Sequence, residues 1–185
     1  MQRRTRDTGP VGTDHEGRHS AEQGHSAELA SALAGARRRA LRDGDRQIDT
    51  AHLLHALLEA DPETCRAVAG DDPAVVVRLL GYLVQRTIGY GLRWSGTVED
   101  SGALPVLRGG RAPGFSPAAA AALEGACLRA RSGGPVRGTD LLAALVGDRR
   151  CRAVEVLGRA GVDAGELLAR LDGRPASGAD GRWRA

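Results

Sequence analysis

Apolar residues fall at helical spacing in two stretches of the chain, separated by a long glycine-rich interval. The first stretch begins after Ser26, where Leu29, Leu33, Ala36 and Ala40 form one stripe of an amphipathic helix. Ser26 stands at the N-cap position and Gly44 at the position of a C-terminal glycine stop. "DTAHLLHALLEA" predicts a second helix with Thr50 as its cap and Leu53, Leu54, Leu57 and Leu58 buried. A third helix starts at Asp61 and Pro62 and stops at Gly70, and a fourth starts at Asp72 and Pro73 and runs to about Ile88.

The same order returns after residue 114. Ser116 and Pro117 open a helix whose stripe is Ala119, Leu123, Ala126 and Ala130. "TDLLAALVG", "DRRCRAVEVLGRAG" and "VDAGELLARLDG" supply three more, the last capped by Asp163. The two stretches also share letters. Ser26, Leu33, Gly35 and Arg39 match Ser116, Leu123, Gly125 and Arg129 in order, "LLHAL" matches "LLAAL", and "CRAV" occurs at 65–68 and again at 151–154. Register changes between these matches fall in loops, where length varies freely. The reading is an all-α protein of two tandem four-helix repeats, 25–88 and 115–172, related by a pseudo-twofold axis. A polar arm (1–24), a linker loop (89–114) and a tail (173–185) are non-periodic; the arm and tail are expected to be disordered.

Composition narrows the core and the partners. Aromatics make up only 3% of the chain, so the core must be built from Leu, Val and Ala, which suits helices better than sheet. Every one of the 26 basic residues is Arg, which together with the Ala and Gly content reads as a GC-rich coding bias. Net charge is +3 and is spread along the chain rather than gathered on a face with stacking aromatics. A small basic nucleic-acid-associated regulator is therefore the alternative rather than the leading class. An enzyme is a third class, but nothing in the sequence names a reaction. No apolar run reaches the length of a membrane span, and the N-terminus has no apolar signal segment. The three cysteines cannot all pair within the chain, so a reduced cytoplasmic setting is expected.

The paired segments "HSAELASAL" and "FSPAAAAAL", "DTAHLLHALL" and "GTDLLAALV", with "VLGRAGVD" at 156–163, resemble the Clp repeat domain. This is the N-terminal domain of ClpA- and ClpC-type AAA+ unfoldases, and the resemblance spans roughly 25–171. It implies a non-enzymatic module that binds protein or peptide ligands: substrates, adaptors, phosphoarginine tags or cyclic-peptide antibiotics. It also implies a role in regulating a Clp chaperone–protease or in capturing its ligands. The chain has no lysine and so no phosphate-binding loop of the G-x-x-x-x-G-K-[ST] type, which excludes ATP hydrolysis by the family's mechanism. No cofactor is implied.

The resemblance places a ligand groove between the repeats, flanked by His25, Ser26, Phe115 and Ser116. Phe115 either anchors a ligand there or only staples the helix that follows it. The family's phosphoarginine-binding carboxylate has Ala51 in its place in the first repeat. In the second, Asp140 either replaces it or caps the helix. Thr50 completes the expected ligand-binding set. His52 and His55 form an H-x-x-H on one helix, but no third ligand lies in sequence reach, and no metal site is expected. Cys65 and Cys151 read as small buried hydrophobes, and a Cys-His nucleophile lacks spatial support. The arginines from Arg37 to Arg46 form either a solvated helix face or a surface for an acidic partner.

Overall fold

A computed structural model describes residues 24–87, 114–130 and 134–173, with only the backbone at 86–87. Its helices are α1 (Ala27–Asp43), α2 (Thr50–Ala60), α3 (Pro62–Ala69), α4 (Ala74–Thr87), α5 (Pro117–Arg129), α6 (Gly138–Gly147), α7 (Arg152–Arg159) and α8 (Ala164–Leu171). Two short strands, β1 (Gln47–Ile48) and β2 (Gly114–Phe115), pair in parallel. The fold is all-α, and each helix lies where the apolar spacing predicts one. The arm, most of the linker loop and the tail lie outside the described residues.

The caps explain the helix starts. Ser26 Oγ accepts the Leu29 N–H at 3.2 Å, and Ser116 Oγ accepts the Ala119 N–H at 3.1 Å. Asp61 and Asp163 cap α3 and α8 in the same way. Gly44 ends α1 with φ +72°, a conformation that side chains resist. One cap differs from expectation. Asp49, not Thr50, caps α2: its Oδ1 accepts the His52 N–H at 2.9 Å, and His52 Nδ1 lies 3.2 Å from the Asp49 N–H in return. Thr50 is the first helical residue, and its hydroxyl is engaged elsewhere. Its Oγ1 accepts the Ala153 N–H at the start of α7, 3.1 Å away.

Small residues let the long helices pack closely. Ala32, Ala36 and Ala40 bury one stripe of α1 against α2, and Ala119, Ala122 and Ala126 bury one stripe of α5. A Cβ on Gly35 would touch Ala56 of α2, and one on Gly125 would press within 3.2 Å of Ala144 of α6. Leu29, Leu53, Leu57, Leu141, Leu145 and Leu157 are fully buried and belong to a single core that draws on both ends of the chain. Helix α2 packs on α5 and α7, α6 packs on α1 and α3, α4 packs on α7, and α3 packs on α8. Burial of these leucines contributes roughly 1.5–3 kcal/mol each before chain entropy is subtracted.

Candidate ligand-binding site

The segments that lead into four of the helices are laced together by backbone pairing. His25, ahead of α1, bridges in parallel with Val136, ahead of α6. The Ser26 N–H donates to Val136 O at 2.9 Å, and the Val136 N–H donates to Gly24 O at 3.0 Å. Ahead of α5, Phe115 pairs with Ile48, ahead of α2, and the Ser116 N–H donates to Ile48 O at 2.9 Å. Each of the two expected pairs, His25–Ser26 and Phe115–Ser116, is thus joined to a helix start from the other end of the chain. His25 is exposed, and Phe115 keeps 39% of its surface exposed. Ser26 is half-buried and Ser116 is buried, and each hydroxyl is taken up by its helix cap.

Two cavities flank this region. One, of about 400 Å³, lies among α5, α6 and α8, with walls of Ala118, Ala122, Gly125 and Ala144. Thr50, Cys151, Arg129 and Asp148 supply its polar edge. The other, of about 370 Å³, is polar and gathers Ser26, Glu28, Asp61, Glu63, Arg66 and Arg137 where α1, α3 and α6 begin. Thr50 lies on the first and Ser26 on the second. Neither cavity is lined by His25, Phe115, Ser116 or Asp140. Asp140 Oδ2 accepts the Arg137 N–H at 2.9 Å, so this carboxylate does serve the start of α6. Ala51 is fully buried.

Charge is concentrated at the start of α2. Asp49 is buried, and its Oδ2 accepts a hydrogen bond from Arg152 Nη1 at 2.6 Å. His52 is buried beside it, with Nδ1 2.8 Å from Asp49 Oδ1 and Nε2 3.1 Å from Asp45 Oδ2 and 3.8 Å from Asp43 Oδ2. His55 faces a different set. Its Nε2 lies 3.4 Å from Glu59 Oε1, and Glu59 also pairs with Arg39. Burial, reinforced by the Arg39 charge, lowers the pKa of His55 to about 4. The two histidines of the H-x-x-H therefore serve separate clusters. Burial, and secondarily Asp61, raises the pKa of the Cys65 thiol, whose Sγ donates to Leu58 O. Cys151 is buried and donates to Leu145 O.

Sequence reasoning missed Arg152 and the Asp43–Asp45 pair. The repeated "CRAV" marked Arg66 and Arg152 as counterparts, yet Arg66 is exposed at the polar cavity and Arg152 is buried. The "DGD" at 43–45 was the available signal for the second, since a left-handed glycine turns both flanking carboxylates toward the next helix.

Helices in this order define an all-α fold of the Clp N-terminal domain type. The crystal structure of the N-terminal domain of the caseinolytic protease associated chaperone ClpD from Arabidopsis thaliana matches it with a TM-score of 0.58. The match covers 80% of this chain and 92% of that domain, at 17% identity, and is a likeness of fold. No protein-family model matches the sequence, and no curated protein does. Among the described residues, no helix is long and apolar enough to cross a membrane.

Proposed function

We propose that this chain is a non-enzymatic receptor module of the Clp type, binding peptide or protein ligands in a cytoplasmic setting. The observation that carries the reading is the extent of the fold match, which takes in nearly the whole of the ClpD N-terminal domain. The crossed pairing of helix starts supports two further parts of it. The helices α1–α4 and α5–α8 are two copies of one four-helix unit, and the ligand groove runs along the line where they meet. In that groove Phe115 is the anchor, since a rigid, partly exposed ring offers the contact area typical of binding hot spots. His25 and Asp140, which keep accessible surface, orient the ligand's polar atoms, while Ser26, Ser116 and Thr50 hold the helix starts that frame the groove. Regulation of a Clp chaperone–protease, or capture of the ligands such a machine receives, follows from this role.

Calorimetric titration with a cyclic-peptide antibiotic that binds Clp receptor domains tests the reading. Wild type should bind, and Phe115→Ala should lose about 2 kcal/mol, roughly thirtyfold in affinity, while circular dichroism shows it still folded. Absence of binding by wild type, or equal binding by a folded Phe115→Ala variant, overturns the groove assignment.

A further inference from the structure

We propose that Asp43, Asp45 and His52 form a binding site for a divalent transition-metal ion such as Zn²⁺, at the turn between α1 and α2. The donor atoms of the three residues lie within 4.8 Å of one another. Zinc bonds of about 2.0–2.1 Å to nitrogen and oxygen place tetrahedral ligands roughly 3.3 Å apart. The separations from His52 Nε2, 3.1 Å to Asp45 and 3.8 Å to Asp43, bracket that value. One imidazole and two carboxylates make a borderline donor set, suited to zinc, cobalt or manganese.

The surroundings fit a metal ligand in a second respect. Asp49 Oδ1 lies 2.8 Å from the other ring nitrogen, Nδ1. A carboxylate in this position fixes the ring of a metal-binding histidine and directs the Nε2 lone pair at the ion. With an ion bound, Nδ1–H donates to Asp49 Oδ1 and gives up its acceptor role toward the Asp49 N–H. His52 is held rigidly, being only 2% exposed, whereas Asp45 is 43% exposed and gives the ion a route from solvent. Gly44, with φ +72°, lets the chain fold back so that both carboxylates reach one nitrogen. Three protein ligands leave a position for water. This site is independent of the ligand groove.

The test uses the full chain, stripped with a chelator and titrated with Zn²⁺ by calorimetry and with Co²⁺ by visible absorption. One ion per chain should bind. Asp43→Asn/Asp45→Asn should weaken binding by about 100-fold or more, since losing even a second-shell partner typically costs 10–100-fold. Cys127→Ser should leave binding unchanged. Should the double variant fail to fold, Asp45→Asn alone, at the more exposed ligand, must still weaken binding at least about tenfold. Equal affinity in the variants, no binding to wild type, or a thiolate-to-cobalt charge-transfer band would each overturn the assignment.

Discussion

Asp49 and Arg152 are 103 residues apart in the sequence and 2.6 Å apart in the fold, joined as a buried ion pair. The same carboxylate caps α2 through its other oxygen, so one residue starts a helix and binds the start of α7. Adjacent to it, Thr50 takes the Ala153 N–H, which lies among the first, otherwise unbonded amides of α7. The relation between these two helices is therefore specified by directional bonds as well as by apolar packing.

Breaking this pair from one side should be costly. Arg152→Met strands the Asp49 charge in a buried site and is expected to lower unfolding free energy by about 3–5 kcal/mol in urea titrations. Adding Asp49→Asn should recover part of that loss, because the amide oxygen still caps α2. A single-variant cost below about 1 kcal/mol would show that the pair does not hold the two helices together.

Two glycines should respond oppositely to alanine. A Cβ at Gly138 would run into the Asp61 carboxylate, which accepts the Thr64 hydroxyl at 2.7 Å, and would approach Thr64 Oγ1 at 3.0 Å. Gly138→Ala should cost about 1–3 kcal/mol as overpacking between α3 and α6. Nothing lies within 4 Å of a Cβ at Gly158. Gly158→Ala should be neutral or stabilising by up to about 1 kcal/mol. Denaturation midpoints that fall equally for both would remove the contact argument.

Helix positions and most caps were legible in the sequence because they are local: spacing, a Ser or Asp before the first turn, and a glycine after the last. Asp49 was passed over for Thr50 because both are good caps, and nothing local showed that the Thr50 hydroxyl would accept the Ala153 N–H from the far half of the chain. The ligand-site residues were harder to place. Spacing could position Phe115 and His25 ahead of their helices, but their strand partners, Ile48 and Val136, come from elsewhere in the chain. Likewise, the H-x-x-H showed only that two histidines share a helix face, while packing turned His52 toward the end of α1 and His55 toward Glu59.

His55 sets an acid limit. Its folded pKa of about 4 lies below the ordinary value of 6.5, so the unfolded chain takes up a proton that the folded chain resists. The histidine's contribution is fully present above pH 6.5 and is lost as pH falls toward 4. Melting temperature should drop by several degrees across that window, and His55→Gln should flatten the slope there. An unchanged slope would place the acid sensitivity elsewhere.

The thiols should differ in reactivity. Cys127 and Cys65 are half-buried and Cys151 is buried, and burial also raises the Cys65 pKa. Native alkylation followed by mass spectrometry should label Cys127 first and Cys151 last, because only thiolate reacts and it must be reachable. Early labelling of Cys151 would mean that the α6–α7 region opens readily.

The short strands that lead into the helices have a consequence for any fragment of this protein. Cut between residues 88 and 113, each piece would expose its share of the common core and present bare edges at Ile48 and Gly24, or at Phe115 and Val136. Such edges are templates, and the complementary ones exist only on the other piece. Two separately made fragments would therefore find each other and rebuild the parent by intermolecular complementation. The intact chain carries its own partner, tethered at high effective concentration.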